Sequence, residues 1–281
     1  MLIEQTSHVV ETSSGPMTIY LITPKIAEYP NAKWPGVVVW SEIYQVTGPV
    51  LRFATSIASQ GYIVACPCVY HEFEGAAAMP YDTVGTDNGN SYKIRKELTA
   101  YDSDAKVSVD FLMASKSCNG RIASTGMCLG GHLVTNGFIP VQSTNALDPR
   151  IISSVCYFPT DIHDHALSAT GDDSLVRAGK GEIKGEVVLI FGVQDGHIPK
   201  EGRNLIRETL TSPSIQPPLK LSFLELQASH AFIRDEMSKG RFDSAISKVC
   251  FELLMEVFGR TIGRDLGERV VEGKKEEKLI C

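Results

Sequence analysis

Short apolar runs recur along this chain, and amphipathic stretches fill the intervals between them. Segments near 36–41, 62–66, 121–125, 152–157, 187–191 and 220–226 are rich in Val, Ile, Leu and Phe and are bounded by Gly, Pro, Asn or Ser, which predicts strands. Segments near 47–59, 102–115, 129–138, 200–211 and 241–258 predict helices. Strands and helices taking turns in this way predict an α/β fold, a mostly parallel central sheet with helices on both faces. Ahead of it, His8–Thr12 and Met17–Thr23 read as two strands joined through Ser13-Ser14-Gly15-Pro16, an N-terminal antiparallel hairpin.

Two regions break the pattern. Phe73–Asn90 is rich in Gly, Ala, Asp and Asn without a clear period, and it falls where a loop would overhang the carboxyl ends of the strands, so 73–90 is a candidate lid. Residues 261–281, including Glu272-Gly273-Lys274-Lys275-Glu276-Glu277-Lys278, form a charged C-terminal extension beyond the last core helix. The remainder, 1–260, is expected to be a single domain, because 281 residues at 43% hydrophobic composition bury one large core.

Charge and cysteine content narrow the partners. A net charge of −6 argues against nucleic acid and anionic membranes. No apolar run reaches the roughly 18 residues of a membrane helix, and Met1–Gln5 lacks a basic segment followed by an apolar one, so a soluble, cytoplasmic protein is expected. Seven scattered cysteines give no disulfide framework, and Cys66-Pro67-Cys68 reads as small residues inside a strand. Asp161-Ile162-His163-Asp164-His165 reads as a solvated loop, and no metal is expected.

The candidate chemistry centres on Ser124-Thr125-Gly126-Met127-Cys128-Leu129-Gly130-Gly131-His132. Glycines two before and two after Cys128 match the pattern of a nucleophile elbow with cysteine in the place of serine. Such a residue sits on a strained strand-to-helix turn, where only neighbours without a side chain fit. The helix that follows adds partial positive charge, which favours a thiolate. A hydrolase of this kind needs an acid and then a histidine at later strand tips. Asp195 follows the apolar run Gly185–Gly192, and His230 follows the alternating run Leu219–Leu226. In that arrangement His230 takes or pairs with the Cys128 proton, and Asp195 fixes the imidazole's orientation.

These segments together resemble the dienelactone hydrolase family, a branch of the α/β-hydrolase fold with a Cys, Asp and His set. Pro35–Tyr44 is similar to the family's early strand ending in Glu-Ile-Phe, and Gln60-Gly61-Tyr62 with Cys66–Tyr70 to a second segment. Asn119–Gly131 and Ser229-His230-Ala231-Phe232-Ile233-Arg234 match two more, so the likeness runs from about Thr18 to about Phe258. The resemblance implies Cys128 as nucleophile, His230 as base, Asp195 as its orienter and Glu42 as a fourth participant. It also implies an oxyanion hole from the N–H groups of Leu129 and Ile43, and substrate contacts from Arg234 and Tyr44. No cofactor is implied.

Departures from the family bear on the substrate. Arg234 matches one of two arginines that hold a substrate carboxylate, whereas Thr86-Asp87-Asn88-Gly89-Asn90 offers no second one. Lys93 or Arg95 replaces it only through a rearranged loop. Ala231, His71, Cys68 and Pro159 also differ from the family pattern. The expected function is hydrolysis of a small lactone or carboxylic ester, with or without a carboxylate, through a thioacyl intermediate on Cys128. The alternative is a scaffold without turnover that binds ligands or senses oxidants through Cys128. Either a monomer or a homodimer is compatible with the sequence.

Overall fold

The computed structural model describes residues 1–135 and 148–263. Eight strands form one sheet: β1 (Leu2–Thr12), β2 (Gly15–Lys25), β3 (Trp34–Trp40), β4 (Ile63–Pro67), β5 (Cys118–Met127), β6 (Ile151–Tyr157), β7 (Glu186–Gly192) and β8 (Leu221–Leu226). Their order across the sheet is β1-β2-β4-β3-β5-β6-β7-β8. The β1–β2 and β2–β4 pairs are antiparallel, and every later pair is parallel.

Burial explains why the sequence places the strands where it does. Val37–Trp40, Ile63–Pro67 and Val187–Gly192 are buried at consecutive positions rather than alternate ones, so the sheet centre is covered on both faces. At the edges the cover thins. β8 alternates between partly buried and exposed positions, and β1 is exposed along most of its length. The polar run Glu4-Gln5-Thr6-Ser7 suits such an edge. That run hides the strand signal, which is why the hairpin extends to Leu2 and Lys25, beyond the predicted His8–Thr23.

Eight helices accompany the sheet among the described residues: α1 (Gly48–Ala58), α2 (His71–Glu74), α3 (Thr83–Arg95), α4 (Leu98–Ala114), α5 (Leu129–Thr135), α6 (Ser174–Gly179), α7 (Lys200–Leu210) and α8 (Ser244–Thr261). In α1 the buried residues are Pro49, Val50, Ala54, Ile57 and Ala58, the stripe expected of a helix packed by one face. Asp243 caps α8 by accepting from Ile246 N–H, and its buried stripe is Cys250, Leu254, Val257 and Phe258. Two sequence expectations touch residues outside the description, the end of the 129–138 helix and nearly all of the 261–281 extension.

The 73–90 region differs from the loop expected of it. Asp82 accepts a hydrogen bond from Gly85 N–H at 2.8 Å and starts α3, a helix too polar for a hydrophobic period to betray it. Its glycines allow close approach. A Cβ on Gly89 would stand 2.5 Å from the Ile43 carbonyl oxygen and 2.9 Å from Ile43 Cβ, so α3 rests directly on the turn after β3. In an isolated helix Gly→Ala is stabilising by up to about 1 kcal/mol. Here Gly89→Ala is expected to destabilise by about 1–3 kcal/mol through overpacking. Urea denaturation decides the sign, and a variant as stable as the parent or more so would refute the contact.

Candidate active site

The loops that leave the carboxyl ends of β3, β5, β6, β7 and β8 meet around one cavity of about 200 Å³. Cys128 ends β5 with φ at +58°, a left-handed conformation that costs a side-chain-bearing residue about 1–2 kcal/mol. The surroundings hold it there. Cys128 N–H donates to the Tyr157 carbonyl at 3.1 Å, and its own carbonyl accepts from His132 N–H at 3.1 Å and Thr160 N–H at 3.3 Å. A Cβ at Gly130 would lie 2.2 Å from the Trp40 carbonyl oxygen, and one at Gly126 would lie 2.4 Å from the Gly130 oxygen. Both glycines are therefore steric requirements of the turn.

Sγ of Cys128 lies 3.8 Å from Thr160 Oγ1, and Cys128 and His230 line the same cavity. On the other side of the imidazole, Nδ1–H donates to Asp195 Oδ2 at 2.6 Å. Phe158 packs edge-on against the His230 ring, with centroids 5.0 Å apart. Burial of His230 opposes its protonation, but the charge on Cys128 and the hydrogen bonds to Asp195 and Cys128 outweigh it and raise the imidazole to about 10. Burial likewise opposes ionisation of Asp195, yet hydrogen bonds from His197 and His230 hold its carboxyl well below the usual range.

Glu42 and Arg234 form a second buried charged pair, with Arg234 Nη1 at 3.3 Å and 3.4 Å from the two carboxylate oxygens. Tyr81 donates its hydroxyl to Glu42 at 3.3 Å, and the guanidinium stands 4.3 Å from the Tyr81 ring centroid and 5.7 Å from that of Tyr44. Burial, reinforced by Glu42, pushes the Tyr81 phenol up. Arg234 Nη2 donates to the Met237 carbonyl at 3.2 Å, while its buried Nε has no hydrogen-bond partner among the described residues. Such an orphan donor is available to a ligand.

Ile43 and Tyr44 line the cavity with Cys128, Glu42, His230 and Arg234. Leu129 is fully buried and opens α5, where the first backbone N–H groups of a helix have no intrahelical acceptor. Residues from the region where the sequence offers no second arginine also reach the cavity. Thr86, Asn90 and Lys93 line it from α3, at the i, i+4, i+7 spacing of one helical face. Lys93 needs no rearrangement to be there, and Nζ pairs with Asp161 Oδ2 at 2.7 Å. Asp161 thus belongs to the cavity wall, and neighbouring Ile162 is buried, so the 161–165 segment is not the solvated loop expected. Thr160, His197, Lys239 and Arg241 complete the wall.

Among the described residues two clusters have a donor set that suits a metal ion, Asp195–His197–His230 and His71–Glu72–Asp104. In the second, Lys96 Nζ already stands 2.6 Å from Glu72 and 3.0 Å from Asp104, so an ammonium supplies the positive charge that a cation would. In the first, each imidazole is committed to Asp195.

Comparison with known proteins gives this geometry a context. The model of the dienelactone hydrolase family matches residues 17–261. The chain is 51% identical to a Saccharomyces cerevisiae protein to which carboxymethylenebutenolidase activity is provisionally ascribed, over 96% of both chains. It is 24% identical to the carboxymethylenebutenolidase of Pseudomonas putida, over 74% of this chain and 79% of that one. A crystal structure from Klebsiella pneumoniae, provisionally ascribed to the dienelactone hydrolases, superposes with a TM-score of 0.75 at 17% identity, covering 92% of this chain and 100% of that one. With the family model spanning most of its length, this chain belongs to the dienelactone hydrolase family.

Proposed function

We propose that this protein hydrolyses a small lactone or carboxylic ester through Cys128, with His230 as acid and base and Asp195 as the group that orients it. The observation that carries the reading is that Cys128 and His230 meet at one cavity while Asp195 holds the Nδ1 side of the His230 ring. Membership of the family supports the ester or lactone substrate, as do relatives named for carboxymethylenebutenolidase activity.

The thiolate of Cys128 attacks the carbonyl carbon, and the carbonyl electron pair moves onto oxygen. In this reading the backbone N–H groups of Leu129 and Ile43 receive that oxyanion, aided by the N-terminal end of α5. Collapse expels the alkoxide, which takes the proton from the His230 imidazolium and leaves a thioester on Cys128. Water then attacks the thioester while neutral His230 accepts its proton, and the thiolate departs, regenerating the resting pair. In a lactone the expelled alkoxide remains tethered to the acyl group, and the product is a ring-opened acid.

Recognition falls to the basic wall of the cavity. Arg234, held between the two tyrosines, offers its unpaired Nε to a carboxylate on the substrate, while Tyr44 and Tyr81 bound the acyl group. Glu42 balances the charge of Arg234 when no anion is present. A binding or redox-sensing role without turnover would use Cys128 alone and leave the oriented Asp195–His230 pair without a purpose.

Hydrolysis of a dienelactone and of a neutral aryl ester, followed with the parent and Cys128→Ala at equal concentration, tests the reading. The variant is expected to lose at least about a thousandfold in kcat/KM, and the parent to accumulate a hydroxylamine-labile acyl adduct on Cys128. Equal rates in the two proteins would reject Cys128 as nucleophile.

The charge state has its own test. A histidine raised from 6.5 to about 10 contributes stability that is complete below pH 6.5 and lost as the pH rises through about 10. Cys128→Ala removes the anion that does most to raise it, so the His230 titration followed by imidazole NMR is expected to fall by at least about one unit. Coincident titrations in the two proteins would exclude the thiolate–imidazolium pair.

A further inference from the structure

Each oxygen of the Asp195 carboxylate has its own imidazole. Oδ2 accepts from His230 Nδ1–H at 2.6 Å, and Oδ1 accepts from His197 Nδ1–H at 3.0 Å and from the His197 backbone N–H at 2.9 Å. An ionised carboxylate only accepts, so both ring nitrogens that face it carry protons. The two rings stand 4.2 Å apart between centroids, inclined by 37°. His197 lines the cavity with its side chain 58% exposed, whereas His230 is buried.

The backbone bond from residue 197 to Oδ1 is an ordinary Asx turn, which any residue there would supply. The imidazole adds something the turn does not need, a second side-chain donor on the carboxylate that orients His230. We infer that His197 is a positioning residue that lowers the basicity of His230 by sharing the Asp195 carboxylate, which keeps His230 able to give up its proton before the water step. This inference rests on the reading of His230 as base.

The physical argument is one of competition. A carboxylate that receives three N–H groups spreads its charge over three bonds, and each donor gains less than it would alone. Without His197 the full acceptor strength of Asp195 acts on His230, and the imidazolium becomes harder to deprotonate. Neutral His197 with hydrogen on Nδ1 already presents the donor to Oδ1. Other charged groups around the cavity come from separate elements: Cys128 at the elbow, Glu42 with Arg234, Lys93 with Asp161, and Lys239 with Arg241. None of them changes when residue 197 is replaced.

His197→Ala keeps the backbone bond and removes the ring, and His197→Asn places an amide N–H where Nδ1–H stood. His230 is followed by imidazole NMR, and kcat for ester hydrolysis is followed against pH. The expected result for His197→Ala is an upward shift of about half a unit or more in the His230 titration, with the rising limb of kcat moving in the same direction. In His197→Asn at least half of that shift is expected to return. An Ala variant with the parent's titration overturns the inference, and so does a shift that persists undiminished in the Asn variant. The NMR titration needs no turnover, so it reports on His197 even if Cys128→Ala shows that the hydrolytic reading is wrong.

Discussion

Everything at the candidate site depends on how closely backbone can approach backbone around residue 128. The turn from β5 into α5 is seated against the ends of β3 and β6, with Gly130 under the Trp40 carbonyl and Gly131 against that of Tyr157. A side chain at either position would push α5 outward and carry the Leu129 N–H with it. The left-handed backbone at Cys128 is the local cost of that fit, and three hydrogen bonds hold it, one donated to the Tyr157 carbonyl and two accepted from Thr160 and His132. The same constraint aims the sulfur at the cavity rather than into the core. Neighbouring loops show related strain, with positive φ at Gln45 after β3, Phe158 and Asp161 after β6, and Ala231 after β8. These left-handed residues are collected where the strands end.

Charge is distributed as unevenly as strain. The chain as a whole carries −6, yet the cavity is lined by Lys93, Arg234, Lys239 and Arg241 against Glu42 and Asp161. Lys93 and Arg234 each have a carboxylate partner, so the resting cavity is not a bare cluster of cations. An anionic ligand would replace an internal partner instead of burying its charge alone, which lowers the desolvation cost of entry. Tyr44 and Tyr81 keep the Arg234 guanidinium in place while its partners change.

Much of the architecture was legible because burial on both faces produces continuous apolar runs. Val37–Trp40 and Val187–Phe191 announce themselves without any period, and Cys128, Asp195 and His230 follow the ends of β5, β7 and β8 in turn. What escaped was polar. α3 contributes Thr86, Asn90 and Lys93 to the cavity and carries glycines at 85 and 89 for close packing, so its composition resembles that of a loop. Asp161 and His163 sit in a stretch of alternating acids and histidines that reads as solvated. Contacts from distant elements, Lys93 on Asp161 and the α7 backbone at Gly202 on His163, decide otherwise. Local sequence carries no record of such partners.

The cysteines make the same point about environment. Burial pushes the thiols of Cys66 and Cys156 far up, that of Cys68 to about 12 and that of Cys250 to about 11. These side chains behave as small apolar residues filling the core, and at neutral pH they hold their protons. Cys128 is also largely buried, so exposure alone does not set it apart. Among the six described cysteines it is the one that lines the cavity, stands before a helix and shares the cavity wall with His230. What sets Cys128 apart is therefore the turn it occupies and the His230–Asp195 pair at the same cavity. Moving the thiol to any of the other buried positions would leave it without a base, an anion-stabilising helix end or a route to substrate.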